Sequence, residues 1–408
     1  MKSVIDGDGK FAFQKLGGLA PLPPEDQTSQ IFNINFDGGL RLDKNPREIP
    51  INACVDMDKT RFQSGALSVG FGESALGTNF TGTVIGIVNH ISRVDSVSVN
   101  RTMAFIASPG SLALVRWDKS LQSWQNEVAI SLAGITETRK SMVSLQDTLI
   151  IAPADAAISN GNARYWDESG SLLSVIDPTA DIQPLYVGAF GDRLILYQDL
   201  GTSTNAGEEL QSLAWSVDGS ILDFSAAGSG QIFLLDTPSH PIDELQGGAQ
   251  IGNNILAIFR QRSIMRGFET GNIDQAVGAV HWIEGIGTES PFSITPAPIG
   301  LCFLGQDGLA YFLTEQGPTP IGEAIQDEIM SRLTVANRKQ GVQASYDVAN
   351  KHWWLCVPAS GSSVLMTTAF IFDLGRFLLT REKIWMKLDL TNFGGSGVQS
   401  IGSTSEDL

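Results

Sequence analysis

The chain is short of reactive side chains. Of its 408 residues only three are cysteine, and Cys54, Cys302 and Cys356 are too few and too far apart to build a disulfide framework. Cys302 and Cys356 lie in the apolar runs "GLCFLG" and "WWLCVP" and are expected to be small buried hydrophobes. The four histidines, His90, His240, His281 and His352, stand alone, none with a second His or Cys at ligand spacing, so no metal site is expected. There is no G-x-x-x-x-G-K-[ST] phosphate loop and no G-x-S-x-G nucleophile elbow. "GFGESA", Gly70 to Ala75, fits a relaxed dinucleotide-loop pattern, but no helical pattern follows it, so it reads as a Gly-rich turn and no cofactor is expected. No apolar run reaches about 18 residues, so no membrane-spanning helix is expected. The opening "MKSVIDGDGKFAFQKL" lacks the apolar centre of a secretory signal.

Positive charge is also scarce. Lys and Arg total 27 against 44 Asp and Glu, a net charge of −17. That disfavours a groove that clamps phosphates, which needs a basic face. It leaves room for an acidic passage through which DNA slides without sticking. Aromatic residues interleaved on a basic strip, the single-strand binding signature, are absent. The eight tryptophans fall mostly one or two to a segment and read as packing residues.

What the chain has is glycine, 43 residues, joined to Ser, Thr, Asn and Asp at turns, and 42% hydrophobic residues, enough for a large core. From about residue 83 a polar turn repeatedly precedes a strongly apolar strand: "VNRTMAFIAS", "LQDTLIIAPA", "FGDRLILYQD", "IGNNILAIFR", "LGQDGLAYFL" and "VANKHWWLCV". With Asn100, Asp147, Asp192, Asn253, Asp307 and Asn350 as turn markers, the spacings are 47, 45, 61, 54 and 43. Most are followed by a second hairpin, such as "LAWSVDGSILDF". Four strands per repeat of this length is the pattern of β-propeller blades, in which sheets pack face to face and ring closure leaves only short edges. The expected fold is therefore all-β: a propeller of about six four-stranded antiparallel blades, with a β-sandwich pair as the alternative. In "FGDRLILYQDL", Asp192 and Arg193 are assigned to the turn and Leu194, Ile195 and Leu196 to a strand buried between blades. Loss of Arg193 is then expected to be mild.

Residues 1–33 read as an extended N-terminal arm, 34–390 as the propeller and 391–408 as a C-terminal tail. One segment breaks the β pattern. "TPIGEAIQDEIMSRLTVANRKQG", 319–341, sets Ile321, Ile325, Ile329 and Leu333 four residues apart, with Glu323, Asp327 and Glu328 early and Arg332, Arg338 and Lys339 late. It predicts an amphipathic helix inserted before the last blade and stopped at Gly341. The helix either packs on its own propeller or docks on a neighbour; Glu323, Asp327, Glu328 and Arg332 are the candidate interface residues.

Paired carboxylates are the remaining enzymatic option, since propellers host glycosidases. "WSVDGSILDF" comes close to the sialidase turn S-x-D-x-G-x-x-W, with Gly219 one place early, but such turns shape hairpins and are not catalytic. No acid pair, arginine triad or Tyr/Glu pair stands out, so no catalytic residue is assigned and the protein is expected not to be an enzyme.

The stretch 34–76, "INFDGGLRLDKNPREIPINACVDMDKTRFQSGALSVGFGESAL", resembles the opening of the propeller proteins that form the tail nozzle of tailed bacteriophages, also called tail-tube or packaged-DNA-stabilisation proteins. The features are Gly38-Gly39-Leu40, then Pro46 with Ile49-Pro50, then Gly65-Ala66-Leu67 leading to Gly70 and Gly72. "FGDRLILYQD" with "LAWSVDGSILDF", then "IGNNILAIFRQRSIMRGFE", "LCFLGQDGLAYFLTEQGPTPIGEAI", "ASYDVANKHWWLCVP" and "AFIFDLGRFLLTREKIWMKLD", are similar to that family's later blades in the same order. The resemblance implies a virion protein: a homohexameric ring in the tail, below the connector or adaptor. It would surround the genomic double-stranded DNA, hold it until ejection and support tail fibres or spikes, with host cytoplasm as the place of assembly and no small-molecule substrate. The second and third units are ragged, and "GTSTNAGEEL" lengthens one loop. The alternative is a non-viral β-propeller protein-binding scaffold, with a glycosidase-like enzyme behind it.

Overall fold

The computed structural model describes residues 83–94, 97–108, 110–118, 120–121, 123–131, 138–153, 162–168, 173–176, 182–200, 209–234, 242–359 and 365–390, and the backbone of six short strands before them. Those are β1 (Lys2–Ile5) paired with β2 (Phe11–Gln14), β3 (Gly39–Leu40) parallel to β4 (Ala53–Cys54), and β5 (Thr60–Gln63) paired with β6 (Ala66–Val69). The turn at 70–75 and the C-terminal stretch 391–408 lie outside the described residues.

From Thr83 the chain makes six antiparallel sheets of four strands, each built from one continuous segment. Blade 1 is β7 (Thr83–Val94), β8 (Val97–Ser108), β9 (Ser111–Asp118) and β10 (Ser123–Ser131). Blade 2 is β11 (Ser141–Leu145), β12 (Thr148–Ala152), β13 (Arg164–Trp166) and β14 (Ser174–Val175). Blade 3 is β15 (Pro184–Phe190), β16 (Arg193–Asp199), β17 (Ser212–Trp215) and β18 (Gly230–Phe233). Blade 4 is β19 (Leu245–Ile251), β20 (Ile255–Arg260), β21 (Ser263–Glu269) and β22 (Val277–Glu284). Blade 5 is β23 (Thr295–Ala297), β24 (Gly300–Leu304), β25 (Ala310–Thr314) and β26 (Gly317–Pro320). Blade 6 is β27 (Gln343–Asp347), β28 (His352–Pro358), β29 (Met366–Asp373) and β30 (Trp385–Asp389). The expected six-bladed propeller is what the chain forms.

The core lies between blades, and the two-residue period of the strand decides which neighbour each side chain meets. Leu194 and Leu196 of β16 pack with Ile150, Ala152 and Ala163 of blade 2, whereas Ile195 and Tyr197 pack with Leu256, Ile258 and Met265 of blade 4. Both faces of a second strand are therefore buried, which is why these strands read as unbroken apolar runs. Cys302 and Cys356 are buried thiols in the cluster shared by blades 5 and 6, and Trp215, Trp353 and Trp385 are fully buried packing residues.

Four of the six turn markers sit where expected, between the first and second strands of a blade. Gln146 and Asp147 both adopt left-handed backbone, φ 48° and 61°, as a two-residue hairpin turn requires. At the same place in blade 3, Gly191 has φ 57°. Two markers fall elsewhere. Asn100 lies inside β8, because the first hairpin of blade 1 has twelve-residue arms and turns earlier. Asp307 lies between β24 and β25, where its carboxylate accepts the Leu309 amide and the Tyr311 hydroxyl. The apolar run "LAYFL" is thus blade 5's third strand, and "GLCFL" its second.

Arg193 also differs from expectation. It is the first residue of β16, not a turn residue, and its guanidinium donates to the Ser216 and Gly228 carbonyls at 2.7 and 2.8 Å. It ties the outer hairpin to the second strand of its blade.

Candidate functional site

The insert between blades 5 and 6 is less helical than its spacing suggests. Helix α1 covers only Gln326–Arg332, and α2 is a single turn, Arg338–Gly341. The break has a local cause: the buried Asn337 side chain donates to the Arg332 carbonyl at 3.1 Å and accepts the Thr334 amide at 2.7 Å. Those side-chain bonds replace the helical ones over the β-branched pair Thr334-Val335. Ile321, Ile325 and Ile329 are fully buried against blade 6, so the stripe packs on its own propeller.

The four candidate interface residues lie together, and three of them are engaged within the chain. Glu328 pairs with Arg332 at 2.6 Å and with Lys387 of β30 at 2.9 Å. Arg332 also donates to the Thr368 hydroxyl of β29 at 2.8 Å. Glu323 pairs with Lys383 just before β30. Asp327 is exposed. These ion pairs fasten the insert to the last blade.

A second polar cluster joins blades 1 and 2. His90 of β7 is fully buried, its Nδ1 2.9 Å from the Ser144 Oγ of β11 and its Nε2 3.2 Å from Glu168. Arg101 of β8 donates to Glu168 and to the Ser92 hydroxyl, and the imidazole leans on Trp166 with ring centres 5.6 Å apart. Burial lowers the His90 pKa against the pull of Glu168. Burial works to raise the Glu168 carboxyl, but its hydrogen bond with Ser92 and the Arg101 and His90 charges outweigh that and hold it below the ordinary range. The order Ser–His–carboxylate superficially matches a nucleophilic relay. Here the Ser144 oxygen already accepts the Ile91 amide at 3.3 Å, and the Glu168 carboxylate is taken by Arg101. The cluster works as a strut that braces the long β7–β8 hairpin against blade 2.

The ring has a cavity at its centre. It encloses about 450 Å³, is not sealed from solvent, and is lined from every innermost strand: Ile85 of β7, Met142 of β11, Gly188 of β15, Gly248 of β19, Pro296 of β23 and Gln343 of β27. The ring closes across it, since the Arg139 amide before blade 2 donates to Gln340 Oε1 before blade 6 at 2.8 Å. Inner strands approach closely on one side: a Cβ on Gly188 of β15 would meet the Gly248 carbonyl of β19 at 3.2 Å. The volume is that of a small-molecule pocket, far too small to pass a duplex. A DNA path would have to lie outside the single propeller.

No sequence signal marked this cavity. Its polar residues come from different blades, and one of them owes its direction to a bulge in β19. Among the described residues there is no group of three or more His, Cys, Asp or Glu that could hold a metal.

No family model matches the chain, and no curated protein matches it by sequence. Among solved structures it is similar to PorZ, a bacterial surface component of the type-IX secretion system of Porphyromonas gingivalis, at 14% identity and a TM-score of 0.42, over 82% of this chain and 35% of that one. It is also similar to Raptor of Chaetomium thermophilum, at 10% identity and a TM-score of 0.43, over 78% of this chain and 25% of that one. A third is YCF48 bound to a D1 peptide, at 12% identity and a TM-score of 0.38, over 78% and 88%. The chain spans about a third and a quarter of the first two. Similarity at this level carries no functional argument.

Proposed function

We propose that the protein is a non-enzymatic β-propeller scaffold that works by binding other macromolecules at its rim. The observation that carries this is the uneven treatment of the blade edges. Among the described residues each outermost strand leaves one side unpaired, and an unpaired edge is a template for another chain. Four edges are blunted: β14 has two residues, β18 four, β26 is four residues with Pro318 and Pro320, and β30 is five residues with Lys387 held by Glu328. The other two are long, with one bulge each: β10 runs for nine residues and β22 for eight, and β22 exposes Val280 at 49% of its surface. Long edges left open in an otherwise protected disc are docking strands.

A second, narrower reading is the tail-nozzle subunit of a tailed phage, in which six copies form a ring around the DNA path under a connector and carry fibres or spikes. It is supported by the ordered series of family-like motifs from Gly38 to the last blade and by the net charge of −17, which suits a lumen that does not hold DNA. A closed ring needs two different complementary patches on each subunit.

Light scattering and electron microscopy of the purified protein separate these readings. A ring near six times 43.8 kDa supports the nozzle. A monomer that is also not recruited by a tail connector removes it. The scaffold reading fails if Val280→Lys leaves every captured partner and any self-association unchanged, or if glycoside hydrolysis is found and a single carboxylate change abolishes it.

A further inference from the structure

The cavity at the ring centre has a polar side chain that the fold does not use. Gln246 is fully buried and lines the cavity, and neither its amide nitrogen nor its amide oxygen has a partner. A register shift in β19 places it: Leu245 faces Arg260 and Gly247 faces Phe259, so Gln246 is the extra residue, and Gly247 takes φ 113°. A bulge of this kind re-aims a side chain out of the ladder. A buried amide with both ends unmatched costs stability that an apolar side chain of the same shape would not.

The other polar side chains of the wall are occupied. The Ser141 hydroxyl donates to the Val187 carbonyl at 3.2 Å and accepts the Val187 amide at 3.0 Å. Gln250 donates to the Gly252 carbonyl at 2.9 Å and accepts the Gly191 amide at 3.0 Å. Arg139, Lys140 and Gln343 also have partners. None of the described lining residues is Asp or Glu. What Gln246 asks for is neutral: a donor beside an acceptor. A second amide edge answers it with two opposed hydrogen bonds. A carboxylate has acceptors alone and an ammonium donors alone, so each leaves one end of Gln246 unmatched. Around this polar spot the wall is largely apolar and partly aromatic. Tyr186 and Phe292 line it with their rings edge to face, centres 6.2 Å apart, beside Met142 and Ile294.

We propose that the ring centre binds a small neutral compound that carries a carboxamide, lactam or nucleobase-type edge on an apolar or aromatic body. The edge pairs with Gln246 and the body lies against the apolar wall. The 450 Å³ equals about 15 waters at about 30 Å³ each, which is room for one such compound. The site is separate from the blade edges and does not depend on what the rim binds.

Titration calorimetry and thermal melts of the full chain test it with three probes of similar shape: benzamide, benzoate and acetophenone. Benzamide offers a donor and an acceptor. The other two offer acceptors alone, and benzoate adds a charge. Wild-type protein is expected to bind benzamide, to melt higher as its concentration rises, and to bind the other two at least about tenfold more weakly. Gln246→Met keeps the length of the side chain and removes both polar ends. It is expected to melt no lower than wild type without ligand and to bind benzamide no better than acetophenone. Wild-type protein that is indifferent to all three probes, or that does not tell benzamide from acetophenone, overturns the proposal. So does a preference for benzamide that survives in Gln246→Met, because the ligand then sits elsewhere. A ligand-free Gln246→Met protein that melts well below wild type also overturns it, because the amide then already serves the fold.

Discussion

Arg260 offers a sharp test of how the blades are held together. Its side chain is 1% exposed at the end of β20. Nε donates to the Asp243 carbonyl at 2.8 Å, and a terminal nitrogen donates to the Leu234 carbonyl at 3.2 Å. The Asp243 carboxylate lies 3.7 Å from Nε and itself accepts the Arg262 amide and the Ser263 hydroxyl at 2.8 and 2.6 Å. One guanidinium therefore joins the end of blade 3 to the start of blade 4. Replacing it with Met keeps most of the volume but strips two charge-assisted hydrogen bonds, each about 1.5 to 3 kcal/mol. That sum, about 3 to 6 kcal/mol, agrees with the cost of about 3 to 5 kcal/mol for breaking a buried pair by removing one partner. For 408 residues an unfolding entropy of about 2.1 cal/mol/K per residue turns this into a melting shift of about 4 to 7 °C. Urea unfolding followed by tryptophan fluorescence, where buried Trp215 of blade 3 reports, should show the midpoint falling with the slope unchanged. Arg260→Lys should recover less than half, since an ammonium cannot reach both carbonyls. In the Arg260→Met background Asp243→Asn should cost less than it does in the wild type. A loss under about 1 kcal/mol for Arg260→Met, or strict additivity of the pair, would falsify the clamp.

Ile195→Asp should prevent folding, because it places a charge in the fully buried packing between blades 3 and 4, and soluble cooperative unfolding of that variant would contradict the geometry. Arg193→Ala should cost about 1 to 3 kcal/mol by leaving the Ser216 and Gly228 carbonyls without their donor, read as a fall in urea midpoint; an effect within about 0.5 kcal/mol would restore the view of Arg193 as an idle turn residue. For acid, His90 has its folded pKa below 6.5 and Glu168 below 4.5, so each binds protons more readily unfolded. Their stabilisation is complete above those values and is lost as pH falls, first below 6.5 and then below 4.5. Melting temperature against pH should show the first decline in the wild type and a flatter profile in His90→Gln; equal slopes would mean that His90 does not carry it.

Several elements were legible because their cause is local. The unbroken run Leu194-Ile195-Leu196 announced a strand covered on both faces, and Asp147 marked the first turn of blade 2, where it takes the left-handed backbone that Asp tolerates. Asn100 and Asp307 misled because polar residues also occur within long strands and between second and third strands. Only pairing partners tell these positions apart. The insert misled for a related reason: the i, i+4 apolar spacing was real and is buried, but Asn337 competes for the backbone and halts the helix at Arg332.

From the chain alone came the all-β class, a repeat of about six four-stranded units and the burial of their second strands, since periodicity and turn chemistry act over a few residues. Tertiary structure alone decided the rest. Whether Glu328 and Arg332 face a partner or their own Lys387 and Thr368 depends on where β29 and β30 arrive. The cavity exists because six inner strands from separate segments meet at the ring centre, and Gln246 points into it because a bulge shifts β19 by one residue. Neither closure of a ring nor the aim of a side chain has a period in the chain, so neither could be read before the strands were placed.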